Sequence, residues 1–176
     1  AYLASTQFTL IAWSGGIYQP TDTGGLSTTP AYSTLSSSAQ VFFPYDRNLV
    51  AAFDGVNRPV KSTNGSSWTK MGIDQPTGQS TVSSAAGGSL SASEFEFSFS
   101  YKDRGLAHEG NVSTNLSTRT LSATGAMSLQ IPNSTDPQVD AIVVYARNKT
   151  AGEAVLRRAT SQVQSAAASS TIVITS

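Results

Sequence analysis

Two glutamates on one predicted strand are the residues whose spacing best fits enzyme chemistry. Glu94 and Glu96 are two residues apart, which places both side chains on one face of an extended strand, roughly 7 Å from each other. Glycoside hydrolases use paired carboxylates that are separated by about 5 to 10 Å. The same pattern is far more common on an ordinary solvent-exposed strand face, and that is the interpretation we favour.

The single histidine is the second candidate for chemistry. His108 lies beside Glu109, where it could act as a general base or a metal ligand. No nucleophile motif, zinc-binding histidine pair, phosphate loop or dinucleotide fingerprint accompanies it. The chain has no cysteine, and Asp136 and Asp140 lack the spacing of a calcium-binding EF-hand. We therefore predict that the protein is not an enzyme, with no catalytic residue, no metal site and no cofactor.

Composition argues against several kinds of partner. Charged residues make up only 12% of the chain, against about a quarter in typical soluble domains. Lys plus Arg equals Asp plus Glu at 11 each, so the net charge is zero. A neutral chain without a basic stripe predicts no nucleic-acid partner and no electrostatic membrane docking. No apolar stretch approaches the ~20 residues that cross a bilayer.

The two ends of the chain suggest that it is part of a longer protein. It has no initiator Met, which removal of that Met by processing explains equally well. Its first residues have neither the basic start nor the apolar run of a signal peptide. It stops directly after the strand-like run from Thr171 to Thr175. We expect further sequence beyond this piece.

The elements that position these residues are strands. Aromatic and polar residues alternate from Glu94 to Tyr101, which predicts an antiparallel strand with one buried aromatic face and one wet face. The run from Val139 to Tyr145 is apolar on both faces and is predicted to be a central, covered strand. The two strands together predict a sandwich core that contains Phe95, Phe97, Phe99, Tyr101, Val139, Ile142, Val144 and Tyr145.

Short β-rich runs alternate with turn residues along the whole chain, and this spacing is typical of a sandwich. The sequence divides into an N-terminal short-strand region, a Gly/Ser-rich linker, a β-sandwich, and an Ala/Ser linker with a terminal strand, at residues 1–77, 78–88, 89–160 and 161–176. The N-terminal region starts with a run from Phe8 to Trp13. Its Asp54-Gly55 and Asn64-Gly65 pairs predict type I′ hairpin turns. The predicted fold class is all-β.

Three groups of segments share an order that is known from one class of proteins. They are YDRNLVAAFDGVNRP, NGSSW and MGI at residues 45–59, 64–68 and 71–73; FSFSY and EGNVS at 97–101 and 109–113; and IP and DPQVDAIVVYAR at 131–132 and 136–147. This order resembles that of virion structural proteins of tailed bacteriophages. In those proteins a segment like one propeller repeat leads into a fibronectin type III-like sandwich. The resemblance covers roughly residues 40–160, and Ala146 departs from it, because Arg often follows the Tyr there.

The resemblance implies a small propeller-like β-hairpin region followed by an immunoglobulin/fibronectin III-like β-sandwich. It also implies an assembly or adaptor protein of the tail, neck or fibre in an extracellular virion. Such a protein is held by contacts with other virion proteins and with copies of itself. Trp13 and Trp68 are the predicted interface anchors.

Two other functions fit the sequence. In a carbohydrate-binding adhesion module, aromatic residues would stack on sugar rings, and the candidates are Trp13, Tyr18, Tyr32, Tyr45 and Trp68. A subunit of an extracellular filament or surface layer would fit the low charge, the absence of cysteine and the strand-like ends.

Overall fold

The computed structural model describes residues 9–21, 23–47, 49–103, 105 and 108–176. Within these residues the chain forms thirteen strands and no helix, and the paired strands are antiparallel. The predicted all-β class is therefore confirmed. The chain divides into two compact units, of which the first ends at Met71 and the second begins at Gly72.

The N-terminal unit opens with a tight hairpin. Strand β1 (Ile11–Trp13) pairs with β2 (Gly16–Tyr18) across a two-residue turn. Both turn residues, Ser14 and Gly15, have positive φ angles, of 48° and 81°. This is the backbone of a type I′ turn, which matches the twist of the strands it joins. The predicted start of this strand at Phe8 lies outside the described residues.

A four-stranded antiparallel sheet follows in sequence order. It consists of β3 (Tyr45–Asp46), β4 (Leu49–Ala52), β5 (Val60–Ser62) and β6 (Thr69–Lys70). The N-terminal core is small and draws on both the hairpin and this sheet. Its buried members are Ile17, Leu35, Ala52 and Val60.

The Asp54-Gly55 and Asn64-Gly65 pairs do not form the predicted type I′ hairpin turns. That turn needs positive φ at both residues, whereas here only the glycines have it, at 70° and 73°. The pairs lie instead in the longer loops at residues 53–59 and 63–68. The acidic and amide side chains accept hydrogen bonds from backbone N–H groups further along, and these bonds stabilise wider loops.

Asp54 ties two loops of this unit together. Its buried carboxylate accepts hydrogen bonds from the backbone N–H groups of Ser36, Val56 and Asn57 and from the Asn57 side-chain amide, all at 2.7–3.0 Å. Burial by itself would raise the pKa of Asp54. The four hydrogen bonds outweigh it, because they stabilise the charged form and hold the pKa well below the usual value for aspartate.

The second unit is a sandwich of two antiparallel sheets. Its strands are β7 (Thr81–Leu90), β8 (Glu94–Lys102), β9 (Ser117–Thr120), β10 (Gly125–Pro132), β11 (Ala141–Asn148), β12 (Arg157–Val163) and β13 (Ser169–Ile174). One sheet has the order β13-β10-β7 and the other β12-β11-β8-β9. Side chains of β8 and β11 share one apolar core with side chains of β10 and β13. Two sheets around one core are the arrangement of a β-sandwich.

Aromatic residues of β8 fill the middle of this core. Phe97 and Phe99 are almost completely buried. The ring centroids of Phe95 and Phe97 are 6.3 Å apart, and those of Phe99 and Tyr101 are 5.7 Å apart. The Tyr101 hydroxyl donates to the Pro132 carbonyl at 2.9 Å, so its polar end is satisfied where burial raises its pKa.

The predicted linker at residues 78–88 is for the most part strand β7. Its Ser, Ala and Gly residues read as a loop, but pairing with β10 supplies the backbone hydrogen bonds that keep it extended. Gly87 and Gly88 have positive φ angles and lie where the β7–β10 register shifts, next to Gly125. A Cβ at Gly88 would lie 2.8 Å from the Gly125 carbonyl oxygen, so glycine is required at this bulge.

The units also divide earlier than the predicted boundary. Residues 72–80 belong to the sandwich, because their side chains and carbonyls bond to the segment before β9. Gln75 donates to the Val112 carbonyl, and the Thr77 carbonyl accepts from Asn115. Ile73 is part of the sandwich core. These contacts join distant parts of the chain, so local composition does not reveal them.

The predicted C-terminal linker and strand likewise belong to the sandwich. Strand β12 continues to Val163, which leaves residues 164–168 as a short connection. Ile172 and Ile174 of β13 are buried in the shared core. The sandwich therefore extends from residue 72 to the end of the second unit, beyond the predicted limits of 89 and 160.

Asp54 should make the N-terminal unit sensitive to acid. A depressed folded-state pKa contributes stability that is present above the unfolded value, about 3.9, and is lost as the pH falls below it toward the folded value. At pH 7 we expect Asp54→Asn to lower the free energy of unfolding by about 1–3 kcal/mol. Urea unfolding at pH 7 and pH 3, followed by tryptophan fluorescence, measures this, because both tryptophans precede Met71.

The matched control for this experiment is Asp46→Asn, since Asp46 is exposed on β3. It should leave both the stability and its pH dependence close to those of the wild type. Equal losses in the two variants would contradict the role assigned to Asp54.

Candidate functional site

The predicted glutamate pair is not an open carboxylate site. Glu96 is only 8% exposed, and its carboxylate accepts hydrogen bonds from Nε and Nη2 of Arg147, which lies directly opposite on β11. Glu94 forms an ion pair with the Nζ of Lys149 at 3.0 Å. Each carboxylate is thus engaged by a cation of its own chain. The pair does not present two unoccupied carboxylates to a sugar.

The polar face of β8 is buried from Glu96 onward, which corrects the expectation of a solvent-exposed face, and only Glu94 at the start of the strand is well exposed. Ser98 and Ser100 are fully buried on this face, between positions occupied by aromatic residues. The Ser98 hydroxyl donates to the Ser113 carbonyl at 2.7 Å, and the Ser100 hydroxyl donates to the Glu109 carboxylate. The sequence pattern does not indicate this, because the partners come from a loop and not from a strand.

Glu109 joins that loop to the sheet through hydrogen bonds of its side chain. Besides Ser100, its carboxylate accepts a hydrogen bond from the Tyr145 hydroxyl. Burial raises the pKa of Tyr145, and the hydrogen bond and charge of Glu109 raise it further. His108, the neighbouring residue, is exposed. Its backbone carbonyl accepts a hydrogen bond from the Asp103 N–H at 2.8 Å. The geometry around Glu109 is that of a structural contact.

Among the residues that the structure describes, no cluster of three or more His, Asp or Glu residues could hold a metal ion. Asp136, one of the sequence candidates, accepts the backbone N–H of Gln138 at 2.9 Å and so stabilises the turn that precedes β11.

Seven of the eight residues of the predicted sandwich core lie in one buried cluster. They are Phe95, Phe97, Phe99, Tyr101, Val139, Ile142 and Val144. Tyr145 lies outside the cluster, because side chains alternate along β11 and the inward positions are Ile142, Val144 and Ala146. Its hydroxyl bonds to Glu109 on the other face of the sheet.

The two tryptophans have different environments. The Trp68 indole donates to the Gly65 carbonyl at 2.8 Å and packs against Phe43 and the N-terminal core. Trp13 is 67% exposed, with its ring 6.3 Å from that of Tyr18. Of the two predicted anchors, only Trp13 presents most of its surface to solvent.

Trp13 lines a groove in the N-terminal unit, which we call the Trp13 groove. Its volume is about 530 Å³, and it is lined by residues 10–16, 35–37, 39–41 and 43. The lining includes Ile11, Trp13 and Phe43 together with small polar residues. A groove with an exposed aromatic side chain and few charges suits contact with another apolar surface or with a ring that stacks on the aromatic side chain.

Other large apolar side chains are exposed on the same unit. Phe42 and Tyr45 are 60% and 57% exposed. The exposure of Phe42 follows from its position beside Phe43. Neighbouring residues in an extended chain face opposite ways, and Phe43 packs against the core. Such aromatic residues are enriched at protein–protein interfaces. The N-terminal unit is therefore the better candidate for an interaction surface.

The second unit has an opening of its own, at one end of the sandwich. Its volume is about 580 Å³, and its lining combines the core residues Phe95 and Phe97 with Arg147, Glu153 and Arg157. Glu153 accepts the backbone N–H of Asn148 at 2.7 Å, and Arg147 is engaged by Glu96. The charges of Glu153 and Arg147 are therefore engaged by contacts within the sandwich.

The described residues contain no helix with the length and hydropathy that a membrane crossing requires. No family model and no curated protein matches the chain.

The two glutamates of β8 should differ sharply in their contribution to stability. Glu96→Gln leaves Arg147 without its partner in a mostly buried position, and we expect it to lower the free energy of unfolding by about 1–3 kcal/mol. Glu94→Gln is the matched control on the same strand. Its ion pair is well exposed to solvent and should be worth at most about 0.5 kcal/mol.

Urea unfolding at pH 7, followed by far-UV circular dichroism, compares the two variants. Similar effects for both would show that the Glu96–Arg147 pair contributes no more than a surface contact.

Proposed function

We propose that the protein is a structural component of a bacteriophage virion. It would act in the tail, neck or fibre as an assembly or adaptor protein, through contacts with other virion proteins and with copies of itself. The observation that carries this proposal is the exposure of three aromatic side chains of the N-terminal unit, those of Trp13, Phe42 and Tyr45. Side chains of this kind are costly to leave in water and dominate binding energy when an interface covers them.

The strand order of the sandwich supports an immunoglobulin or fibronectin III-like domain. In the immunoglobulin constant-type fold one sheet has the order A-B-E-D and the other C-F-G. With β7 as B, β8 as C, β10 as E, β11 as F and β12 as G, the sheets reproduce the B-E pair and the C-F-G order, and none of the described strands takes position A. Strand β9 extends the C edge. The departure is β13, which occupies the D position beside β10 although it follows G in the chain.

The N-terminal sheet supports the propeller-like assignment by the number and the pairing order of its strands. A propeller blade is a sheet of four antiparallel strands. Strands β3, β4, β5 and β6 pair in that sequence order. They are only two to four residues long, so the unit would correspond to one short blade.

Low charge supports a role inside an assembly. Charged residues are costly to desolvate and are depleted in the buried centre of interfaces. A chain with 12% charged residues and zero net charge can cover much of its surface with neighbours at little electrostatic cost.

The proposal is tested on purified tailed particles of the phage whose genome encodes the chain. Mass spectrometry should find the protein at a stoichiometric ratio to the other tail proteins, and immunogold labelling should place it on the tail, neck or fibre. Absence from the particles would refute the proposal. Labelling of extracellular filaments in their place would favour a filament subunit.

Exposure of Trp13 also favours a second function, carbohydrate binding. A tryptophan ring beside a groove of about 530 Å³ could stack on a sugar ring. A glycan array with the wild-type protein, Trp13→Ala and Phe42→Ala distinguishes the two functions. A signal that Trp13→Ala alone abolishes would support sugar binding. No signal, or one that survives Trp13→Ala, would count against it.

As an interface anchor, Trp13 should matter for assembly and not for folding. Because its side chain is mostly exposed, we expect Trp13→Ala to change the free energy of unfolding by no more than about 0.5 kcal/mol. Loss of a central aromatic contact costs binding about 2 kcal/mol or more, roughly a thirtyfold loss of affinity.

Complementation of a phage that carries an amber mutation in this gene measures the effect. Trp13→Ala should yield far fewer complete particles than the wild type, at equal levels of folded protein. Normal particle yield would remove Trp13 from the interface.

A further inference from the structure

Strand β13 is an edge strand, and its last four residues belong to a run that reads the same in both directions. The run Thr171-Ile172-Val173-Ile174-Thr175 is a palindrome centred on Val173. On one side β13 pairs with β10. On its other side no strand of the described chain pairs with it, since the sheet order is β13-β10-β7.

Along β13, residues whose backbone groups bond to β10 alternate with residues whose backbone groups point to the outer edge. We call this alternation the hydrogen-bond phase of β13. The Asn133 N–H donates to the Ala168 carbonyl at 3.0 Å, in line with the register that pairs Met127 with Ile174. In an antiparallel pair, bonded and non-bonded positions alternate. Ser170, Ile172 and Ile174 therefore bond to β10. Thr171 and Val173 direct their N–H and C=O groups to the outer edge.

Side-chain burial agrees with this phase. Ile172 and Ile174 are buried in the sandwich core, whereas Thr171 and Val173 are exposed, Val173 by 51%. The outer edge thus offers backbone hydrogen-bonding groups at Val173, the centre of the palindrome.

This edge lacks the features that normally prevent strands from pairing. Natural edge strands carry charged residues, proline or a bulge. Strand β13 has no charged residue and no proline, and its register with β10 is regular along its whole length. Its uncharged, β-branched residues are among those that favour strand pairing most.

We propose that β13 pairs with β13 of a second copy of this chain, antiparallel and centred on Val173. Each position then meets an identical residue type, since Val173 faces Val173, Ile172 faces Ile174, and Thr171 faces Thr175. Pairs of β-branched residues and Thr–Thr pairs are favourable across strands. The two three-stranded sheets join into one sheet of six strands, related by a two-fold axis.

A second copy is a better occupant than an unrelated strand, because only antiparallel self-pairing makes use of a palindrome. At one end of the edge, the Thr175 carbonyl already accepts the Ser89 N–H at 2.6 Å, so the new bonds centre on Val173. A single strand pair buries less than the roughly 1,200 Å² of a stable interface. The association is therefore weak by itself. This pairing does not rest on the proposed virion role and can hold in any assembly of the chain.

Single-cysteine variants test the pairing directly, because the chain has no cysteine of its own. Bonded antiparallel partners have Cα atoms about 5.5 Å apart, which lies within the range for a disulfide. Val173→Cys should form a disulfide-linked dimer under mild oxidation at least tenfold faster than Val155→Cys. Val155 is a matched control, since it is 68% exposed and lies in the β11–β12 connection. Equal rates in the two variants would overturn the proposal.

Sedimentation velocity supplies a measurement that needs no oxidation. The wild-type chain and Val155→Lys should shift from monomer to dimer as concentration rises, whereas Val173→Lys should stay monomeric because it places two like charges opposite each other. Far-UV circular dichroism checks that each variant is folded. A wild type that stays monomeric, as expected if another protein or another part of the chain covers β13, would refute the pairing, and so would a dimer of Val173→Lys.

Discussion

Strand β8 is buried on both faces, and each face imposes its own requirement on the rest of the sandwich. The aromatic face needs a second sheet, which β10 and β13 supply. The polar face needs a hydrogen-bond partner for every buried group, because an unsatisfied one costs about 1–3 kcal/mol. Arg147, Ser113 and Glu109 provide these partners. The loop that contains Glu109 is therefore part of the core architecture.

The same principle organises the N-terminal unit at smaller scale. Its apolar core is small, and a buried carboxylate adds hydrogen bonds that hold its loops together. Asp54 collects four hydrogen bonds from two loops and so compensates for short strands of two to four residues. Aromatic residues that do not fit this core, Trp13 among them, remain on the surface. An exposed aromatic surface beside an ordered scaffold favours a role in assembly.

Sequence patterns predicted the elements where periodicity is strong. The aromatic alternation of β8 and the apolar run of β11 indicated their strands, because burial selects residues at every second position. Composition misled where pairing decides structure. Residues 78–88 look like a linker but lie mostly in β7, since an edge strand of small residues needs only a partner strand. The glutamates of β8 were predicted to be solvent-exposed, because the cations that pair with them lie far away in the sequence.

The sequence by itself determined the all-β class, the aromatic core strand and the absence of thiol chemistry, because these follow from local periodicity and residue types. Only the tertiary structure decided that Glu96 is paired with Arg147 and that Trp13 is exposed while Trp68 is packed. It also decided that β13 belongs to the sandwich, with one edge that no described strand covers. These facts depend on contacts between residues far apart in the chain. The spacing of residues along a sequence does not reveal such contacts, because they form only when the chain folds.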